Sequence, residues 1–132
     1  MKNIIIITGG AGFIGSNLIK YLLKKTQFKI ISIDNYSTGT KKNHFNHRNI
    51  KYIKSDNIKI SKILKTFRNK IKVIFHFGEF SRIYQSFLDT KKCLDSNIHN
   101  SFEVINFAKD NKIKIIYSAT SSNLGNNGKD QN

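Results

Sequence analysis

The 132-residue sequence predicts an α/β fold in one domain: a doubly wound parallel sheet of about five strands, covered by helices on both faces to make three layers. Three observations carry this. Short runs rich in isoleucine and valine are continuously apolar, as strands buried on both faces must be. Segments with apolar residues at helical spacing separate those runs. Four of the eight glycines are gathered in one stretch directly after the first run. Strand and helix in alternation imply parallel strands joined by right-handed crossovers.

The first strand is expected over Asn3 to Thr8, followed by the glycine loop and a helix whose stripe is Ile14, Leu18 and Leu22, ending near Lys24 and Lys25. "FKIISID" repeats the buried-strand pattern and ends on Asp34; the polar, turn-rich "NYSTGTKKNHFNHRN" after it reads as a loop with room for one helical turn. "IKYIKSD" is a shorter third strand. In "IKISKILKTFRNKI", Ile60, Ile63, Leu64, Phe67 and Ile71 fall at helical spacing, with Lys62, Lys65 and Arg68 off the stripe. "KVIFHFG" is the fourth strand. The next helix carries Leu94, Ile98, Phe102 and Ile105 on one face, and "KIKIIYSA" is the fifth strand. The tail "NNGKDQN" has no apolar content and reads as a loop.

Composition narrows the functional classes. The single cysteine, Cys93, allows no internal disulfide and suits a reducing compartment. The apolar run of "MKNIIII" meets Gly9 and Gly10 too early for a signal peptide or a membrane span, so a soluble, cytoplasmic protein without membrane contact is expected. A net charge of +15 raises nucleic-acid binding as an alternative. Its make-up argues against it: 20 lysines against 3 arginines, and 58 of 132 residues isoleucine, lysine or asparagine, which fits codon bias acting on solvated faces. No nucleic-acid partner is expected. The four histidines show no metal-ligand spacing, and His76, ending a buried strand, reads as a satisfied core histidine.

The glycines at 9, 12 and 15 form G-x-x-G-x-x-G between a strand and a helix. A tight turn needs positive φ, a pyrophosphate needs backbone free of Cβ atoms, and close helix-on-strand packing needs a third small residue. The helix N-terminus then offers free N–H groups to the phosphates. Asp34 closes the next strand about 20 residues on, where a carboxylate accepts both ribose hydroxyls and repels a 2′-phosphate. Together these favour NAD over NADP, against the alternative of a structural turn with an exposed aspartate.

"TGGAGFIGSNL" with "IDNYSTG" resembles the start of the extended short-chain dehydrogenase/reductases, the NAD-dependent nucleotide-sugar epimerases and dehydratases, and the resemblance runs over essentially the whole chain. It implies a Rossmann-type domain over residues 1–132, with the cofactor held at Gly9, Gly12, Phe13, Ile14 and Gly15 of the loop and at Asp34 and Asn35 after the second strand. "SDNI" matches the family's aspartate-plus-apolar step beside the adenine, which places Asp56 and Asn57 there, with Asn57 in an aliphatic position. "FHFGEFSR" stands where the family has His-Leu-Ala-Ala and implies cofactor contacts at Phe77 and Gly78. Asn97 matches the asparagine of N-V-x-G-T. "YSATSSNLG" matches S-[ST]-x-x-x-Y-G, making Ser118 a cofactor-side residue and Thr120 the catalytic hydroxyl that hydrogen-bonds the sugar. Leu124 replaces that segment's usual tyrosine, and Glu79, Ser81 and Arg82 border the expected site, where Arg82 meets either a substrate phosphate or a solvent-facing ion pair.

In this family a tyrosine base takes a proton from a sugar hydroxyl while NAD takes the hydride, with a lysine four residues on. The one Y-x-x-x-K here, Tyr21 to Lys25, ends the first helix, far from the nicotinamide. The dyad's helix and the C-terminal sugar-binding domain are expected beyond this chain. The expectation is therefore the NAD-binding part of a nucleotide-sugar epimerase or dehydratase, inactive by itself, with a homodimer among the arrangements open to the full-length protein; a non-catalytic NAD-binding module is the alternative.

Overall fold

The computed structural model describes residues 2–119. β1 (Ile4–Thr8) leads into α1 (Phe13–Lys25), and β2 (Lys29–Asp34), β3 (Ile50–Lys54), α2 (Ile60–Leu64) and β4 (Ile71–His76) follow. The chain continues through α3 (Ile83–Leu88), α4 (Thr90–Leu94), α5 (Asn100–Asp110) and β5 (Lys114–Tyr117). All five strands are parallel in one sheet of order β3-β2-β1-β4-β5. The chain winds outward from β1 through β2 to β3, then returns to β1's other side for β4. The loops after β1 and β4 diverge, and the crevice between them is where such sheets take ligands.

Period-two alternation of the isoleucines builds the layers. Ile4, Ile6, Ile31 and Ile33 join Ile60, Leu64, Val104 and Phe107 on one face, while Ile5, Ile7 and Ile30 join Ile19 and Leu22 on the other. β1, the middle strand, is thus buried on both sides, which is why its sequence reads as unbroken isoleucine up to Thr8.

Several helical details differ from the sequence expectation. In α1 the buried residues are Gly15, Ser16, Ile19 and Leu22, and Ile14 is exposed. The phase is set by Gly15, which must pack against the glycine loop. The expected second helix is broken up: α2 is short, a 3-10 turn (Arg68–Lys70) follows it, and Ile71 belongs to β4. The stripe Leu94, Ile98, Phe102 and Ile105 faces solvent, and α5 turns Ser101, Val104, Phe107 and Ala108 inward instead. This helix carries two apolar stripes, and the sheet takes the one with small residues and a hydroxyl for buried His76. α3 was not expected; none of its residues is buried, so no core-facing pattern marks it. Between α4 and α5 runs a turn of π-helix, Asp95–His99.

Candidate functional site

Gly9 ends β1's turn at φ +71, a left-handed value that favours glycine. A Cβ there would stand 2.7 Å from the carbonyl of Phe77, so the glycine loop and the end of β4 are in direct contact. At Gly15 a Cβ would collide with the Gly9 carbonyl oxygen and come within 2.8 Å of the Gly10 Cα. Gly12 differs: a Cβ would meet only the Gly9 oxygen, at 3.3 Å. The protein itself makes little demand for glycine at 12.

Gly12 is also the N-cap of α1, without a side-chain hydrogen bond and without an acidic residue in the first turn. The helix therefore presents unsatisfied N–H groups and its positive dipole end to the crevice. Phe13 and Ile14 flank it, 82% and 62% exposed. The crevice is a cleft of about 820 Å³, and Gly9, Gly12, Phe13, Ile14 and Gly15 form its floor.

One end of the cleft is built around Asp34. Its Oδ2 accepts from the Ala11 amide at 2.9 Å and its Oδ1 from the Tyr36 amide at 2.8 Å. Each oxygen keeps a lone pair, so the fixed carboxylate can accept two vicinal hydroxyls. Tyr36 takes φ +62, a conformation uncommon for a tyrosine. Its hydroxyl lies 3.0 Å from His44 Nε2, and His44 stacks on Tyr52 with ring centroids 3.7 Å apart. Burial and nearby Lys41 hold His44 below the usual imidazole pKa, opposed by Asp34. The loop after β2 then folds back on the glycine loop: Thr40 N and Asn43 Nδ2 both donate to the Ala11 carbonyl, at 3.1 and 2.8 Å. The one helical turn the sequence allows in this loop is the 3-10 turn Lys41–Asn43, and Gly39 packs against Ala11; the fold back onto the glycine loop was not foreseen.

Asn35 donates from Nδ2 to Asp56 Oδ1 at 2.7 Å, joining the ends of β2 and β3 beside the cleft. Asn57, also in the lining, is buried and directs Nδ2 to the Gly78 carbonyl at 3.4 Å, leaving its buried Oδ1 without a partner among the described residues. Phe77 and Gly78 form the opposite wall. Asn97, in the π turn, brackets the Phe80 peptide: Oδ1 accepts from its N–H at 2.6 Å and Nδ2 donates to its carbonyl at 2.9 Å. Its amide holds the wall's loop in place.

At the far end Ser118 donates from Oγ to Glu79 Oε2 at 3.0 Å. A hydrogen bond to Glu79 also raises the Tyr117 phenol above its ordinary pKa, with burial adding to it. Arg82 lines the cleft and forms no salt bridge among the described residues. All thirteen residues expected to meet a cofactor line this one cleft. Thr120 and Leu124 lie outside the described residues. His76 is the satisfied core histidine the sequence predicts; its partners Thr8 and Ser101, at 2.6 and 2.9 Å behind the Phe77–Gly78 wall, were not foreseen. Polar residues at the ends of two isoleucine strands were the signal.

Comparison with known proteins bears on this site. The family model described as the NAD dependent epimerase/dehydratase family matches residues 5–132. The chain belongs to that family. It is 32% identical over 125 residues to the ADP-L-glycero-D-manno-heptose-6-epimerase of Brachyspira hyodysenteriae, covering 92% of this chain and 38% of the relative. Among solved structures it is similar to a UDP-N-acetylglucosamine 4-epimerase from Methanobrevibacter ruminantium M1 in complex with UDP-N-acetylmuramic acid, at 30% identity and TM-score 0.82, over 99% of this chain and 43% of that one. It also resembles a UDP-glucose 4-epimerase from Thermotoga maritima with UDP-glucose, at 25% identity and TM-score 0.77, over 89% of this chain and 38% of that one. The chain thus spans well under half the length of these relatives. The family's cofactor is NAD, and the cradle fits a dinucleotide: an uncapped helix N-terminus, a Gly12 open to the cleft, and a fixed carboxylate at one end.

Proposed function

We propose that this chain is the NAD-binding part of a nucleotide-sugar epimerase or dehydratase that oxidises a sugar hydroxyl by hydride transfer to NAD. The observation that carries it is the pairing of the open α1 N-terminus with the fixed Asp34 carboxylate at one end of a single cleft. The amides of Phe13, Ile14 and Gly15 bind the pyrophosphate, the Gly12 amide being held by the Gly9 carbonyl, and the Phe13 and Ile14 side chains lie beside it. Asp34 accepts the adenosine ribose hydroxyls, and Asn35, Asp56 and Asn57 bound the adenine side. Phe77, Gly78, Asn97 and Ser118 line the path toward the nicotinamide. Bound NAD supplies the hydride acceptor. Thr120 orients the sugar hydroxyl, and a partner in the full-length protein is a nucleotide sugar.

Tyr21, on α1, does not line the cleft, so the Tyr21–Lys25 pair is given no catalytic role. Alone, the chain acts as a non-catalytic NAD-binding module. Among the described residues no helix is long and apolar enough to cross a membrane, and Cys93 is a free thiol; we place the protein in the cytoplasm. The exposed stripe on α5 suits a homodimer of the whole protein. Calorimetric titration with NAD and NADP tests the assignment: NAD binds well and NADP at least tenfold more weakly. Equal affinities refute the role given to Asp34.

A further inference from the structure

His76 is fully buried, and both of its ring nitrogens have a hydrogen-bond partner. Thr8 Oγ1 accepts from the Gly78 amide at 3.1 Å and from the Phe77 amide at 3.2 Å, the latter N–H being shared with the Thr8 carbonyl oxygen, also at 3.2 Å. A hydroxyl has two lone pairs and one proton, so both lone pairs are taken. The remaining proton points to His76 Nδ1, 2.6 Å away, which must then be the bare nitrogen. The ring's proton sits on Nε2 and is donated to Ser101 Oγ at 2.9 Å. Ser101 passes its own proton on toward the Ser96 carbonyl at 3.4 Å or Glu79 Oε1 at 3.5 Å. With the Thr8 proton on Nδ1 and the Nε2 proton on Ser101, the donors run from β1 to α5 and the imidazole is neutral.

The two amides held by Thr8 belong to the wall against which Gly9 packs, with the Phe77 carbonyl 2.7 Å from where a Gly9 Cβ would stand. We propose that Thr8 and His76 are positioning residues of the cofactor cleft: neutral His76 orients the Thr8 hydroxyl to hold the Phe77–Gly78 backbone, and a proton on Nδ1 releases that wall and weakens dinucleotide binding. Once Nδ1 carries a proton from solvent, it occupies one Thr8 lone pair. The Gly78 amide, which has only the hydroxyl as acceptor, then competes with it for the oxygen, the Phe77 amide falls back on the Thr8 carbonyl, and the hydroxyl proton has to find a new acceptor. This rests on the assignment of the cleft to NAD.

The groups facing His76 are Thr8 from β1, Ser101 from α5, Tyr117 from β5, whose ring centroid is 5.8 Å away, and Glu79 from the loop after β4. Glu79 is the charged one and favours the imidazolium; burial opposes it and prevails, so His76 titrates below the ordinary imidazole value. Neutral His76 is therefore the resting state near pH 7.

The test is calorimetric NAD binding to the 132-residue chain from about pH 5 to about pH 8, with circular dichroism recorded at each pH, alongside nitrogen NMR of the histidine rings. Affinity should be constant near neutrality and fall by up to about tenfold per pH unit below the His76 titration, while the fold persists. NMR should show the proton on Nε2. H76N keeps an acceptor where Nδ1 was and cannot titrate, so it should lose the acid slope; Thr8→Val should weaken binding at every pH, and Thr8→Ser should restore it. A flat wild-type profile, an acid slope that survives in H76N, or a proton on Nδ1 overturns the proposal, and the wild-type profile and NMR decide it even if a variant fails to fold. No NAD binding by the wild type at neutral pH overturns the cofactor assignment itself, which separates the two failures.

Discussion

Gly12→Val separates what the ligand needs from what the fold needs. An added Cβ at 12 meets only the Gly9 carbonyl oxygen at 3.3 Å, and the backbone there is extended at φ −79, ψ 175, which valine adopts readily. The cost to folding is the poorer N-cap, about 1 kcal/mol, or a fall in Tm of about 3–5 °C for a domain of this size. The isopropyl group, however, fills the approach to the α1 amides. If a pyrophosphate draws two hydrogen bonds from them, each worth about 1.5–3 kcal/mol to a charged acceptor, their loss weakens binding by on the order of 10²–10⁴-fold. Isothermal titration with NAD, beside thermal melts of both proteins, gives the two numbers. Wild-type-like affinity in a folded Gly12→Val would mean that no phosphate sits on this loop. Gly15→Ala is the contrasting control: its Cβ collides with the Gly9 carbonyl, so it should lower stability first and binding only as a consequence.

Asp34→Asn should narrow the preference for NAD over NADP, measured by parallel titration, because the repulsion of a 2′-phosphate is lost while a hydrogen-bonding side chain remains; unchanged selectivity would locate it elsewhere. Within α5, Phe107→Ala should cost about 3–5 kcal/mol and Phe102→Ala within about 0.5 kcal/mol in denaturant unfolding, since the first is core and the second 60% exposed; equal losses would contradict the helix phase. His76 has a folded pKa below its unfolded one, so the unfolded chain binds more protons as pH falls below about 6.5. Its contribution is therefore present above that pH and lost as acid is added, and melts of wild type should fall more steeply than those of H76N in that window.

The sheet was legible because a strand covered on both faces is mostly apolar, and the isoleucine run of β1 with the apolar stretches of β2 and β4 records that constraint directly. Helix phase was less legible. α5 bears two apolar stripes, and only the requirement of His76 for Ser101, and of the sheet for Ala108, decides between them. Those requirements come from residues 25 or more positions away in sequence. α3 escaped notice for the opposite reason: with no buried residue, its sequence records no packing at all.

The cleft divides the same way. Its floor could be read from spacing alone, because a strand, a tight turn and a helix start are one local unit and the glycines that close it are contiguous. Its opposite wall was legible only through family resemblance, since Phe77, Gly78, Asn97 and Ser118 carry no chemistry that marks a cofactor. The structure supplies the physical link between the halves. Gly9 needs its glycine because Phe77 is there, and Phe77 stays there because Thr8, one residue before Gly9, accepts its amide while giving its proton to His76. A strand ending in threonine and its neighbour ending in histidine look unrelated in sequence, yet they fall opposite each other in the β1–β4 register. The two walls are one hydrogen-bonded unit, so a change that reverses the proton order at His76 should move both walls together, whichever side of the cleft it starts from.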